Sequence, residues 1–142
     1  MPFPRPTRRR PSRRAIAGTA LIEFALLLPI LSTLLFGILA GGNYFYLAHS
    51  MQQLANDAAR ATIAGLTAAE RTTLATGAAV AEARDGLAVD LARMQVGVTD
   101  RGDYVTVRIT YDASDQMLFR LGFAPIAGPV IRRTAVVRKG GL

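Results

Sequence analysis

Glu23 is the only charged side chain between Ala20 and Leu47, and Phe24 to Leu47 is a run of 24 residues with no charge at all. An ionised Asp at the centre of a bilayer costs on the order of 2.5–3.5 kcal/mol on insertion scales, and Glu should be comparable. Such a carboxylate needs either a route to water or a partner. In one reading Glu23 lies at the edge of the apolar run, reaches headgroups, and merely marks where the run starts. In the other, Gly18, five residues earlier, is the boundary of a leader. A cut between Gly18 and Thr19 would create an α-amino group with a pKa of about 7.7–8.0, largely cationic at neutral pH. Glu23 would then be the fifth residue of the shortened chain, and amine and carboxylate could neutralise each other between neighbouring copies.

Other residues capable of chemistry are few. His49 is the only histidine and there is no cysteine, so a Ser-His-Asp arrangement could rest only on His49, and thiolate metal sites are excluded. Asp100, Asp103, Asp112 and Asp115 could in principle surround a calcium ion, but their place around a hairpin is that of ordinary turn residues. No glycine-rich phosphate loop is present. The expectation is a non-enzymatic chain with no cofactor and no metal.

The apolar segment positions Glu23. Roughly 20 helical residues cross a hydrocarbon core of about 30 Å, so residues 19–47 can form a transmembrane helix. Six of the 17 basic residues (Arg5, Arg8, Arg9, Arg10, Arg13, Arg14) precede it, interleaved with Pro2, Pro4, Pro6 and Pro11, and no acid accompanies them. Residues 1–14 should therefore be disordered. The net charge of +7 belongs to this leader, because from Thr19 onward 11 basic residues face 10 acidic ones. Basic flanks stay cytoplasmic, which places the chain after about Tyr44 outside, with Tyr44, Phe45 and Tyr46 at the far interface. The same arginines could mark a nucleic-acid surface or a twin-arginine export signal. Membrane topology accounts for them, and Glu23 interrupts the apolar region that an export signal requires, so no nucleic-acid partner is expected.

Beyond the span, Leu47, Met51, Leu54, Ala58 and Ala61 keep helical spacing, predicting one continuous helix of about 45 residues that ends near Gly65. Thr67-Ala68-Ala69-Glu70 reads as a capping box that starts a second helix running to about Met94. Its face of Leu74, Ala78, Ala81, Leu87 and Leu91 is expected to pack on the first. The period then changes to two: Val105, Val107, Ile109 and Tyr111 alternate with Tyr104, Thr106, Arg108 and Thr110, a half-buried strand. Asp100 to Asp103 provides the turn of a hairpin with Gln95 to Thr99, Ser114 to Pro129 reads as loop, and Arg133 to Arg138 offers a last strand. The predicted fold class is α+β: a long N-terminal transmembrane helix continuing into a small domain with a second helix and a three-stranded antiparallel sheet. The predicted divisions are 1–18 leader, 19–47 span and 48–142 extracytoplasmic domain.

The segment Gly18-Thr19-Ala20-Leu21-Ile22-Glu23-Phe24 resembles a class III (type IV) prepilin peptidase site: Gly, then Glu five residues on, then an aromatic residue. The longer run to Leu31, scored by Pro29, is similar to the opening of TadE-like pseudopilins of tight-adherence (Flp pilus) systems. Asp57-Ala58-Ala59-Arg60-Ala61 resembles that family's Ala/Arg-rich segment, and Ile131 to Ala135 resembles it more faintly. Thr19 stands where type IVa pilins carry an N-methylated Phe. Phe24 stands where major Flp pilins carry Tyr, and those pilins are much shorter, which favours a pseudopilin. The resemblance implies processing by prepilin peptidase after Gly18 and pairing through Glu23 and Phe24. It also implies partnership with other pilins or pseudopilins and an inner-membrane assembly platform, in a filament or oligomer used for adhesion. The implied location is the bacterial inner membrane, single-pass, with a periplasmic domain and pilus or extracellular placement after processing. Pro29 would bend or be tolerated in the helix, and Gly37 with Gly41 would allow close helix packing. The competing reading is an uncleaved membrane-anchored periplasmic binding module, which leaves the Gly18–Glu23 spacing a coincidence.

Overall fold

The computed structural model describes residues 13–114, 116–120 and 128–139. Helix α1 runs Arg13–Ala61, a 3-10 turn Thr62–Ala64 follows, and helix α2 spans Ala68–Gly86. A second 3-10 turn, Leu91–Arg93, leads into strands β1 (Met94–Arg101) and β2 (Tyr104–Asp112), a four-residue helix α3 (Met117–Arg120) and strand β3 (Val130–Arg138). This is the α+β arrangement expected: a long apolar helix, a second helix and a three-stranded antiparallel sheet. Two units are distinguished, residues 1–36 and 37–142, with the boundary inside α1.

In the first unit, Leu21, Ile22, Phe24, Leu26, Leu27, Leu28, Ile30, Leu31, Leu34, Leu35 and Phe36 are all exposed. A helix apolar on every side and covered by no protein is suited to hydrocarbon rather than water. It is long and apolar enough to cross a membrane, and only 6 % of its most apolar 18-residue stretch is buried. Pro29 lies inside the helix without ending it. The start of α1 takes in Arg13 and Arg14, which the sequence assigned to a disordered stretch; residues 1–12 lie outside the described residues.

The second unit is built on the sheet, ordered β1-β2-β3 with β2 central. The alternation read from the sequence holds: Val105, Val107, Ile109 and Tyr111 are fully buried. They pack with Leu47, Met51, Leu54, Ala55, Ala58 and Ala59 of α1, Ala75, Ala79 and Ala83 of α2, and Ile131 and Ala135 of β3. A capping box opens α2: Thr67 Oγ1 accepts from Glu70 N (3.2 Å), and Glu70 Oε2 accepts from Thr67 N (3.1 Å).

Four sequence expectations need correction. Helix α2 ends at Gly86, not near Met94, because Leu87 adopts extended backbone (φ −129°, ψ 136°) and Asp90 then caps the turn at Ala92 N. Its buried face is Ala75, Ala79 and Ala83, not Leu74, Ala78 and Ala81, of which Leu74 and Ala81 are exposed. Alanines four apart let two backbones approach, while the larger leucine stays outside. The hairpin turn is only Gly102-Asp103, with Gly102 at φ +50°, a region glycine enters without steric cost. Asp100 therefore belongs to β1, opposite Val105. Strand β3 begins at Val130, three residues before the expected start, because Val130, Ile131 and Arg132 pair with Asp112, Tyr111 and Thr110. Within the expected loop Met117–Arg120 form α3 instead; Asp115 and residues 121–127, Pro125 among them, lie outside the described residues, and at the Gly128-Pro129 entry Ala113 N donates to Pro129 O (2.9 Å).

Candidate functional site

Gly18, Thr19, Glu23, Phe24, Pro29, Gly37 and Gly41 all fall on α1. One helix positions every residue singled out for processing and assembly, but it spreads them along its length and makes no cavity from them. Thr19 and Glu23 are four apart, so they share one face of the helix, one turn apart. Glu23 is exposed and has no ion-pair partner among the described residues; Phe24 beside it is 57 % exposed. The carboxylate is thus available to a cation from outside its own helix.

Farther along, the Thr33 hydroxyl donates to the Pro29 carbonyl (2.8 Å), one turn back. A Cβ added at Gly37 would meet nothing within 4 Å, and Gly41 is half-buried. Phe45 and Tyr46 are exposed, and Tyr44 makes an edge-to-face contact with Phe45 at 6.0 Å between ring centres. His49 lies 3.2 Å from Gln53 Nε2, one turn on. Of the four aspartates considered for calcium, Asp115 lies outside the described residues and Asp112 Oδ1 accepts from Ser114 N (2.9 Å). Among the described residues no three His, Cys, Asp or Glu side chains gather where a metal ion could sit.

The structure does assemble one charged cluster that sequence reasoning missed. Asp100 Oδ2 accepts from Arg71 Nη1 at 2.6 Å, and its other oxygen meets the Lys139 ammonium. Arg71 also donates to Leu66 O (3.2 Å), and Lys139 N donates to Asp103 O (2.7 Å). The Lys139 and Arg71 cations hold the Asp100 carboxyl below the usual range, against the opposing effect of burial. The cluster ties the start of α2, the end of β1 and the segment after β3 together. Its members are 29 or more residues apart, so no local spacing announces it.

Residues 18–60 match the family model described as TadE-like protein. The matched stretch contains all seven residues named above and ends one residue before α1 does. Over this stretch the chain is similar to TadE-like proteins, as its leader-boundary sequence suggested. No curated protein and no solved structure gives a match.

Proposed function

We propose that this chain is a pseudopilin of a tight-adherence (Flp-type) pilus system, processed by prepilin peptidase after Gly18 and acting in pilus assembly rather than in catalysis. The observation that carries this reading is Glu23, exposed and without an ion-pair partner among the described residues, five positions after Gly18 and at the head of an all-apolar helix within the TadE-like stretch. Residues 1–18 are then a cytoplasmic leader, 19–47 the single inner-membrane span, and 48–142 a periplasmic body.

The physics makes cleavage a switch. Before the cut the nitrogen of Thr19 is an amide and carries no charge; afterwards it is an amine, largely protonated at neutral pH. In a low-dielectric setting the Glu23 carboxylate and a neighbouring copy's Thr19 ammonium each lower the other's cost of leaving water. A lateral pair of this kind also sets the stagger between adjacent helices, with Phe24 and the apolar side chains to Phe36 supplying the packing. The partners implied are the peptidase, other pilins or pseudopilins, and the membrane assembly platform.

The test places a photo-crosslinking amino acid at Phe24 in membranes holding the peptidase and sibling pilins. Crosslinks to another pilin's N-terminal segment should form with the native Gly18 and fall severalfold with Gly18→Ala or Glu23→Gln. Equal crosslinking in all three would remove the basis for the reading. Because the chain has no cysteine, Thr72→Cys can report topology: an impermeant maleimide should label it from the periplasmic side.

A further inference from the structure

The outer face of the sheet carries four arginines and, among the described strand residues, a single acid, Asp112. Three arginines lie in two adjacent zones, Arg108 opposite Gly97 and Thr134, then Arg101 and Arg138 flanking Tyr104; Arg132, opposite Thr110, stands diagonally beside Arg108. All four arginines are exposed, and none has an ion-pair partner among the described residues. Asp112, at the end of the same face, is taken up by Ser114 and by Arg93 at 3.8 Å. Between the two zones lie Thr99, Thr106 and the 61 %-exposed Val136, and Tyr104 is 52 % exposed. Arginine and tyrosine around a β-branched centre, with no lysine, is the composition of a protein interface more than of a polyanion track. Where Gly97 omits a side chain, a hollow of about 340 Å³ opens, lined by Gln95, Gly97, Arg108, Thr110 and Arg132. No carboxylate lines it.

The complement is present on the helix layer of the same body. Asp57 of α1 and Glu82 of α2 lie close enough that burial first, and then the Asp57 charge, push the Glu82 carboxyl up. Asp85 stands one turn on from Glu82 and, like it, is exposed. Cations near this strip are Arg60, which reaches Asp57 only at 4.0 Å with both side chains largely in solvent, and Arg84, which lines a groove with Thr73, Gly77 and Ala81. The helices cover the inner face of the sheet, so the arginine face and the acidic strip lie on opposite layers of one body.

We propose that a second copy of this chain docks head to tail, its Glu82–Asp85 strip seated in the Arg108–Arg132 hollow of the first. The contact is heterologous: each copy keeps one free arginine face and one free acidic strip, so association propagates instead of closing as a two-fold dimer. Arg108 and Arg132 offer forked donors suited to carboxylates, and Arg101 and Arg138 extend the attracting field. The proposal deepens the assembly reading by naming the partner's surface, and rests on that reading only in requiring neighbouring copies in one membrane.

The test uses the full chain, purified and reconstituted in bilayers. One tagged population carries Thr134→Cys, beside the hollow, and a differently tagged one carries Ala81→Cys, beside the strip. A short bis-maleimide should join Thr134→Cys to Ala81→Cys and not Thr134→Cys to itself. Reversing the first copy (Arg108→Glu with Arg132→Glu), or the second (Glu82→Arg with Asp85→Arg), should cut the yield roughly tenfold. Combining the two reversed copies should restore it, and unchanged urea midpoints would show that all variants are folded. Yields indifferent to reversal, reversed copies that fold yet do not recover, or dominant Thr134–Thr134 products would each overturn the proposal. Intact mass of the same chain made in peptidase-containing cells separates the two ideas. Charge-dependent crosslinking with an uncut leader keeps the docking and defeats the processing, whereas the converse result keeps the processing and defeats the docking.

Discussion

Replacing Ala79 by Leu should destabilise the body built on the sheet. Ala79 is fully buried between Ala75 and Ala83, in the core cluster that α2 shares with Ala55, Ala58 and Ala59 of α1. Leu adds three carbons where both neighbouring layers are already occupied by side chains, and a close-packed interior has no void to receive them. Overpacking of this size costs about 1–3 kcal/mol. Taking about 2 kcal/mol, and a urea m-value of about 1–1.5 kcal/mol/M for a body of this size, the midpoint should fall by roughly 1.3–2 M. The assay is pulse proteolysis by trypsin across a urea series on the detergent-solubilised chain, since the arginines in all three strands become cleavable only on unfolding. Ala81→Leu, two residues on at an exposed position, should leave the midpoint within about 0.3 M. If Ala79→Leu and Ala81→Leu behave alike, the buried face of α2 is not the one that holds Ala79.

The remaining predictions concern the joints of the body. Gly65→Ala should cost about 1–3 kcal/mol in the same assay. A Cβ there would lie 2.8 Å from Arg71 Cγ and 2.9 Å from Arg71 N, so backbone must move. Thr67→Ala should cost about 1 kcal/mol by removing the hydroxyl of the capping box, and Thr67→Ser should recover most of it. Acid should weaken the body. The Asp100 carboxyl is held down by Lys139 and Arg71, Asp112 by Ser114, and Glu70 by the Leu66 and Thr67 amides. Groups depressed in the folded state stabilise it above their unfolded pKa and lose that contribution as pH falls through the folded one. Urea midpoints should therefore hold near neutrality and drop below about pH 4, with a shallower drop in Asp100→Asn.

What the sequence disclosed and what it withheld have different physical origins. The long apolar helix was legible because apolar length and a single carboxylate are read along the chain, without any partner. The Thr67–Glu70 cap and the alternation from Tyr104 to Tyr111 were legible for the same reason: both satisfy local rules of donor pairing and side-chain direction. The face of α2 was misjudged by one position because alanine is nearly neutral in hydrophobic pattern. Only the assembled core shows that Ala75, Ala79 and Ala83, not Leu74, are the buried face. The end of α2 was overrun because residues 87–91 keep apolar side chains after the helix has stopped; Leu87, Val89 and Leu91 still pack on the core from an extended stretch and a 3-10 turn.

The candidate site divides in the same way. The placement of Gly18, Glu23 and Pro29 on one helix, within the TadE-like stretch, was legible because it depends on spacing along the chain alone. The Asp100–Arg71–Lys139 cluster and the arginine face are products of tertiary registry. Arg108, Arg132 and Gly97 come together only when three strands align, and sequence inspection took Asp100 for a turn residue because it stands two places before a glycine. The leading charge asymmetry of the chain, its basic first 14 residues, also masked the second one: a body of nearly balanced charge whose sheet exposes Arg101, Arg108, Arg132 and Arg138 on one face.

The central claim is that Gly18 is a processing boundary whose cleavage supplies Glu23 with a cation. It is tested most directly by intact-mass analysis of the membrane-extracted chain, produced with and without a prepilin peptidase, beside Gly18→Ala. The account predicts a peptidase-dependent species beginning at Thr19 that the variant does not yield. A leader retained in every case, or a cut beyond the apolar run, would contradict it.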